Sequence, residues 1–155
     1  MTTPLIILGL LTGPLLLGTL LQRLTGRSFA SAATLGVIGI GLVFLFTGVG
    51  HFIKTEPMAE MLPPVVPARV TLVWMTGVIE LAAAVAVLVP RWRRGIAWGL
   101  IVMLVFFLPV NVYAATHRIG MGGHTWGPVY LLIRIPLQMI LIAWIWWFGV
   151  RQPPE

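Results

Sequence analysis

The sequence predicts an all-α integral membrane protein, a single domain built as a bundle of five transmembrane helices. Three observations predict it. Hydrophobic residues fill 59% of 155 positions and charged residues only 9%, with a mean hydropathy of +1.00, whereas a typical soluble domain carries about 25% charged residues. Four acidic and ten basic side chains cannot cover a water-facing surface of this size, so the bilayer has to supply the rest of the covering. Five apolar runs are each long enough to cross a hydrocarbon core, which takes roughly 20 residues at about 1.5 Å rise per residue.

The runs are residues 4–21, 33–53, 70–89, 96–115 and 129–150. The first lacks a basic leading segment and a small-residue cleavage site, so it is read as a helix rather than a leader, and its Gly9-x-x-x-Gly13 spacing predicts close packing against another helix. A basic connector with Arg23 and Arg27 follows. The second connector, 54–69, places Pro57, Pro63, Pro64 and Pro67 among Met58, Met61 and Leu62; it is too apolar for a solvated loop and is expected to lie along the membrane surface. The third holds Arg91, Arg93 and Arg94, and the fourth, 117–128, contains Gly120, Gly122, Gly123 and Gly127, a flexible composition suited to folding over the bundle mouth. No internal repeat is evident.

The charges orient the bundle. Arg23, Arg27, Arg91, Arg93, Arg94 and Arg151 fall on one side, against Lys54, Arg69 and Arg118 on the other. The positive-inside rule then puts the N-terminus outside and the C-terminus in the cytoplasm, in a plasma (inner) membrane. Trp92, Trp98, Trp144, Trp146 and Trp147 are expected near the inner headgroups, with Trp126 and Tyr130 at the outer boundary.

Several function classes drop out. The net charge of +6 is scattered over short connectors and forms no stripe along one helix, which argues against nucleic acid as a partner. The absence of cysteine removes disulfides, thiol relays, iron–sulfur clusters and Cys-ligated zinc, so any redox role needs a bound cofactor or another subunit. There is no Asp, no phosphate-cradling glycine loop and no H-E-x-x-H, which removes the usual hydrolase and nucleotide readings and leaves no metal site to predict. His51, His117 and His124 all fall towards the outer face, but two of them sit in or beside the glycine-rich connector, and haem is disfavoured.

The chemistry the sequence does offer lies in polar residues within apolar runs. An ionisable side chain at the centre of a membrane helix costs about 2.5–3.5 kcal/mol on insertion scales, so each one asks for a partner. Glu80 lies roughly 16 Å in from Arg69, and Arg134 roughly 10 Å in from Gly127, counted by the rise per residue. A buried Glu80–Arg134 ion pair is therefore expected, with Gln138 one turn from Arg134 and able to hydrogen-bond the carboxylate. Two readings of such a pair stand: a working site, or a device that fixes helix register. Asn111, after Pro109, and His51, at the end of the second helix, fall at the same level. They either join the cluster or serve locally, Asn111 bridging carbonyls freed by Pro109 and His51 facing interfacial water. If these faces converge, they outline a pocket near the outer leaflet with Phe44, Trp74, Phe107 and Tyr113 as apolar walls.

The stretches Gly48-Val-Gly-His51-Phe52, Met61-Leu-Pro63, Gly77-Val-Ile-Glu80, Val89-Pro90 followed by basic residues, Pro109-Val-Asn111-Val-Tyr113-Ala114 and Arg134-Ile-Pro136-Leu-Gln138 occur in this order over about three quarters of the chain. In these the chain resembles the DoxX family of small membrane proteins, which includes DoxD-like subunits of thiosulfate:quinone oxidoreductase. The resemblance implies a four-helix core, with the first helix an addition, and a part in a membrane redox process alongside other redox subunits. On that expectation Arg134, Gln138, Asn111 or His51 donates hydrogen bonds to a quinone, and Glu80 or His51 relays a proton. Whether the chain is itself an enzyme stays open. A carrier of a lipophilic small molecule and a membrane scaffold or assembly subunit are the alternatives.

Overall fold

The computed structural model describes residues 2–27 and 30–151. Regular structure among them is helical: α1 (Thr2–Thr25), α2 (Ala32–Ile53), α3 (Thr55–Glu60), α4 (Arg69–Ala86), α5 (Pro90–Thr116), a 3-10 stretch (His124–Tyr130), α6 (Leu131–Ile145) and a π-helical turn (Trp146–Arg151). Five stretches, α1, α2, α4, α5 and the continuous run His124–Arg151, are long and apolar enough to cross a membrane. Their outward faces are apolar as well: Leu5 is 70% exposed, Phe106 72% and Leu132 76%. Lipid is the solvent that accepts such a surface, and the protein is a multi-pass membrane bundle.

Local chemistry sets where the helices start. Ser31 caps α2, its Oγ accepting a hydrogen bond from the Thr34 backbone N–H at 3.1 Å. α5 begins at Pro90 rather than near residue 96, so Arg91, Arg93 and Arg94 belong to its first turns and not to a connector. Proline is preorganised for a first helical position, arginine is a good helix former, and its stem can lie along apolar surface while the head reaches out. The proline-rich connector folds a short helix of its own, α3, before Ala68 at φ 50° turns the chain into α4.

Glycines decide which helices touch. α1 lies against α2 where the Leu11 carbonyl meets Gly39 so closely that no side chain fits at position 39. The expected packing through Gly9 and Gly13 is not found, since a Cβ at either would meet nothing within 4 Å. Their face of α1 looks away from the bundle, whereas Ile7 and Leu11, on the other face, are buried at 2% and 0% exposure. α2 and α4 close on each other through Gly41 against the Ala84 carbonyl, Gly48 against Glu80 and Leu81, and Gly77 against His51, Phe52 and the Gly48 carbonyl. Gly41 and Gly48 are seven residues apart, as are Gly77 and Ala84, so each pair lies on one helix face and the two backbones run together along the seam.

The core sits between α2, α5 and α6, with Ile40, Val43, Leu100, Leu104, Leu137 and Ile145 among its members. The Trp144 indole N–H donates to the Gly36 carbonyl at 3.1 Å and ties α6 to α2. Deeper in, the Gln138 side-chain amide donates to the Leu104 carbonyl at 2.7 Å and ties α6 to α5.

Candidate functional site

The α2–α4 seam places Thr47 and His51, one turn apart on α2, beside Glu80 on α4. Glu80 is 2% exposed, and its carboxylate is met by the Thr47 hydroxyl at 2.5 Å and by His51 Nδ1 at 3.8 Å. The His51 Nδ1–H donates to the Thr47 carbonyl at 2.9 Å, which fixes the ring and leaves Nε2 for other partners. The Thr47 hydroxyl has one proton and two acceptors, Glu80 Oε2 and the Val43 carbonyl at 3.1 Å. With Glu80 ionised, that proton turns to the carboxylate. With Glu80 protonated, the acid can donate to Thr47, and Thr47 turns to Val43. The trio can therefore take up or release a proton without leaving a buried polar atom unpaired.

A second group forms where α5 meets α6. The Asn111 side-chain amide donates to the Phe107 carbonyl at 2.7 Å, which is its own helix's backbone and not the carbonyl that Pro109 frees. So oriented, its Oδ1 accepts from Arg134 Nε at 3.1 Å. Among the described residues the guanidinium makes no further hydrogen bond to protein, and its Nη nitrogens are not sealed in. They are donors held out towards the rest of the array.

The expected Glu80–Arg134 ion pair is not formed: among the described residues, the one cation–carboxylate contact within 4.0 Å is His51–Glu80. The physical reason lies in helix order. α4 packs chiefly on α2, and Arg134's helix packs on α5, so each buried polar group finds its partner on the nearest helix. For the same reason Gln138 does not reach the carboxylate and is spent on Leu104.

The four residues His51, Glu80, Asn111 and Arg134 thus share one end of the bundle in two hydrogen-bonded groups, with Gln138 one turn further in. Of the expected walls, Phe44 is 2% exposed and lies one turn below Thr47, and Phe107 is half-buried beside Asn111. Tyr113 stacks on His117 with ring centroids 4.0 Å apart. Trp74 is exposed, its indole N–H donating to Thr55 Oγ1 at 3.1 Å, so it braces α3 against α4 and does not wall the array.

Three participants escaped the sequence reading of the cluster: Thr47, His124 and Tyr130. The His124 Nδ1–H donates to the Met121 carbonyl at 2.7 Å, its ring meets Tyr130 edge-on at 4.9 Å, and its Nε2 is buried with no partner among the described residues. The connector carrying His124 packs against α5 and α6, and Gly127, at φ 72° and ψ −155°, makes the bend into α6. A separate cleft of about 580 Å³ lies between α3 and the start of α4, lined by Glu56, Glu60, Arg69 and Thr71 among others. No group of three or more metal-ligating side chains occurs among the described residues.

In comparison with known proteins, the model of a family described as a domain of unknown function, DUF8561, matches residues 40–149. That span begins within α2 and ends in the final π turn, so it takes in the whole polar array and leaves α1 outside. No curated protein and no solved structure matches the chain.

Proposed function

The chain belongs to the DUF8561 family, and we propose that it serves a membrane redox process by binding a quinone or a similar lipophilic carbonyl compound at the Glu80–Arg134 end of the bundle. This end faces the outer leaflet of the plasma membrane, as the arginine distribution argues. The observation that carries the reading is the presence of unlike polar groups at one end of the bundle. On one side stand the free guanidinium donors of Arg134, held by Asn111; on the other stands the buried Glu80 carboxyl, with the Thr47 hydroxyl at 2.5 Å and His51 Nδ1 at 3.8 Å. Donors that polarise a ligand oxygen, opposite an acid able to exchange a proton, are what proton-coupled reduction of a quinone carbonyl requires of a protein. His51, Glu80, Asn111 and Arg134 also fall in the stretches that carry the resemblance to DoxX proteins.

The test is quinone binding to the purified protein in micelles, followed by intrinsic tryptophan fluorescence and by calorimetry. Arg134→Met and Glu80→Gln should each weaken binding by about tenfold or more, the loss expected when a charge-assisted hydrogen bond worth about 1.5–3 kcal/mol is removed. Unchanged affinity in both folded variants discards the assignment.

A scaffold role has one observation in its favour. The Gly9–Gly13 face of α1 is unfilled within the chain, and α1 lies outside the matched family segment. Removal of α1 that leaves quinone binding intact while abolishing co-purification of a membrane partner would assign this second role to α1.

A further inference from the structure

The opposite end of the bundle holds a buried cation without a counter-ion. Arg93, in the first turn of α5, is 5% exposed, and its Nε and Nη1 have no hydrogen-bond partner among the described residues. The acidic side chains among the described residues are Glu56 and Glu60 on α3 and Glu80 on α4, all at the other end; Glu155 lies outside the described residues. Around Arg93 the charge is of one sign, with Arg91 and Arg94 exposed on the same turn and Arg151 at the end of the π turn that packs on α5. The α5 N-terminus adds its own partial positive charge, with no acidic residue in the first turn to offset it.

An arginine removed from water with two guanidinium nitrogens unpaired is among the costlier arrangements a protein can hold, unless an anion completes it. Its position says where that anion comes from. Arg93 lies about 5 Å along α5 from Pro90, and helical side chains tilt back towards the N-terminus, so the guanidinium points to the membrane–water boundary. Exposed Trp92, Trp98, Trp146 and Trp147 mark that boundary, and Arg151 stacks over the Trp147 ring at 4.4 Å. The third guanidinium nitrogen, Nη2, is not enclosed, which gives an approaching oxyanion its first point of attachment.

We propose that Arg93 is the floor of a binding site for a phosphate oxyanion at the headgroup level, flanked by Arg91 and Arg94. A planar guanidinium accepts two phosphate oxygens side by side. A phospholipid headgroup and free inorganic phosphate both present that chemistry. The site is independent of the polar array at the other end.

The experiment compares thermal midpoints of delipidated wild type, Arg93→Met and, as a control outside the site, Arg23→Gln, an exposed arginine at the end of α1, in a maltoside detergent, which carries no phosphate. One arm adds phosphatidylglycerol and another adds inorganic phosphate. Without either anion, Arg93→Met should melt above wild type, because the unpaired buried charge is gone. At a hundredfold excess over Kd, phosphatidylglycerol should raise wild type and Arg23→Gln by roughly 5–10 °C and leave Arg93→Met in place, reversing the order. A rise with the lipid alone identifies the headgroup; a rise with inorganic phosphate as well identifies a site for the small anion itself. The proposal is overturned if Arg93→Met rises as wild type does, if neither anion raises wild type, or if Arg93→Met already melts below wild type in anion-free micelles.

Discussion

Gly77→Ala perturbs the candidate site without touching any of its polar groups. A Cβ at position 77 would stand 2.7 Å from His51 Cβ, 2.9 Å from the Phe52 ring and 3.2 Å from the Gly48 carbonyl oxygen. Two of those neighbours are a β-carbon and a backbone atom, which cannot swing aside, so α2 and α4 have to part. Overpacking of this kind costs about 1–3 kcal/mol, while replacing a helical glycine with alanine returns about 0.8–1 kcal/mol. The steric term outweighs the gain over most of its range, for a net loss of up to about 2 kcal/mol. Gly9→Ala is the matched control, because a Cβ there meets nothing within 4 Å and only the propensity gain of up to about 1 kcal/mol remains. Reversible unfolding in mixed micelles with increasing denaturing detergent should therefore separate the two variants by the steric term, about 1–3 kcal/mol. Ligand affinity at the array should fall with Gly77→Ala, since the His51–Glu80 spacing depends on the seam. Equal stability of Gly77→Ala and Gly9→Ala would refute the claim that glycine contact sets the α2–α4 distance.

Three further outcomes follow from the same geometry. Thr47→Val removes the donor at 2.5 Å from Glu80 at nearly constant volume, leaves a buried acceptor wanting, and should cost about 1–3 kcal/mol in the same unfolding assay; Thr47→Ser, which keeps the hydroxyl, should recover most of it. Gln138→Leu should cost at most about 1 kcal/mol, since the Leu104 carbonyl keeps its place in the α5 backbone ladder when the side-chain donor at 2.7 Å is lost. Gly127→Ala forces a residue with a Cβ into φ 72°, ψ −155°, a region that costs of order 1–3 kcal/mol outside glycine. It should loosen the connector, read as faster proteolysis within 117–128 in otherwise folded protein.

Much of the fold was legible because lipid imposes a simple rule on the sequence. Five runs of sufficient length and apolarity appear as five membrane-competent helical stretches, and Glu80, Asn111 and Arg134 stand out because polar groups inside such runs are costly. Their partners were not legible. Pairing depends on which helices are neighbours and how each is rotated, and that is settled by where glycines permit approach. Gly9 and Gly13 have the spacing of a contact motif, yet Gly39, Gly48 and Gly77 make the contacts. Thr47 was hidden for a related reason: a threonine in a membrane helix ordinarily bonds its own backbone, and it does so here to Val43 while also serving Glu80. Hydropathy alone placed the start of α5 too late, because it counts arginine as a break where Pro90 and the arginine stems carry the helix on. His124 was weighed only as a haem ligand, since a histidine in a glycine-rich connector gives no sign of being buried until the connector is seen folded.

The α2–α4 seam makes the two halves of the polar array mechanically unequal. Thr47, His51 and Glu80 ride on backbones drawn together at Gly41, Gly48 and Gly77, so that half behaves as a fixed jaw. Asn111 and Arg134 ride on α5 and α6, each carrying an internal proline, Pro109 and Pro136, where a helix bends most readily. A guest of varying size would be met by movement of the Arg134 jaw, and selection for a new guest would act first on the residues that set those two bends.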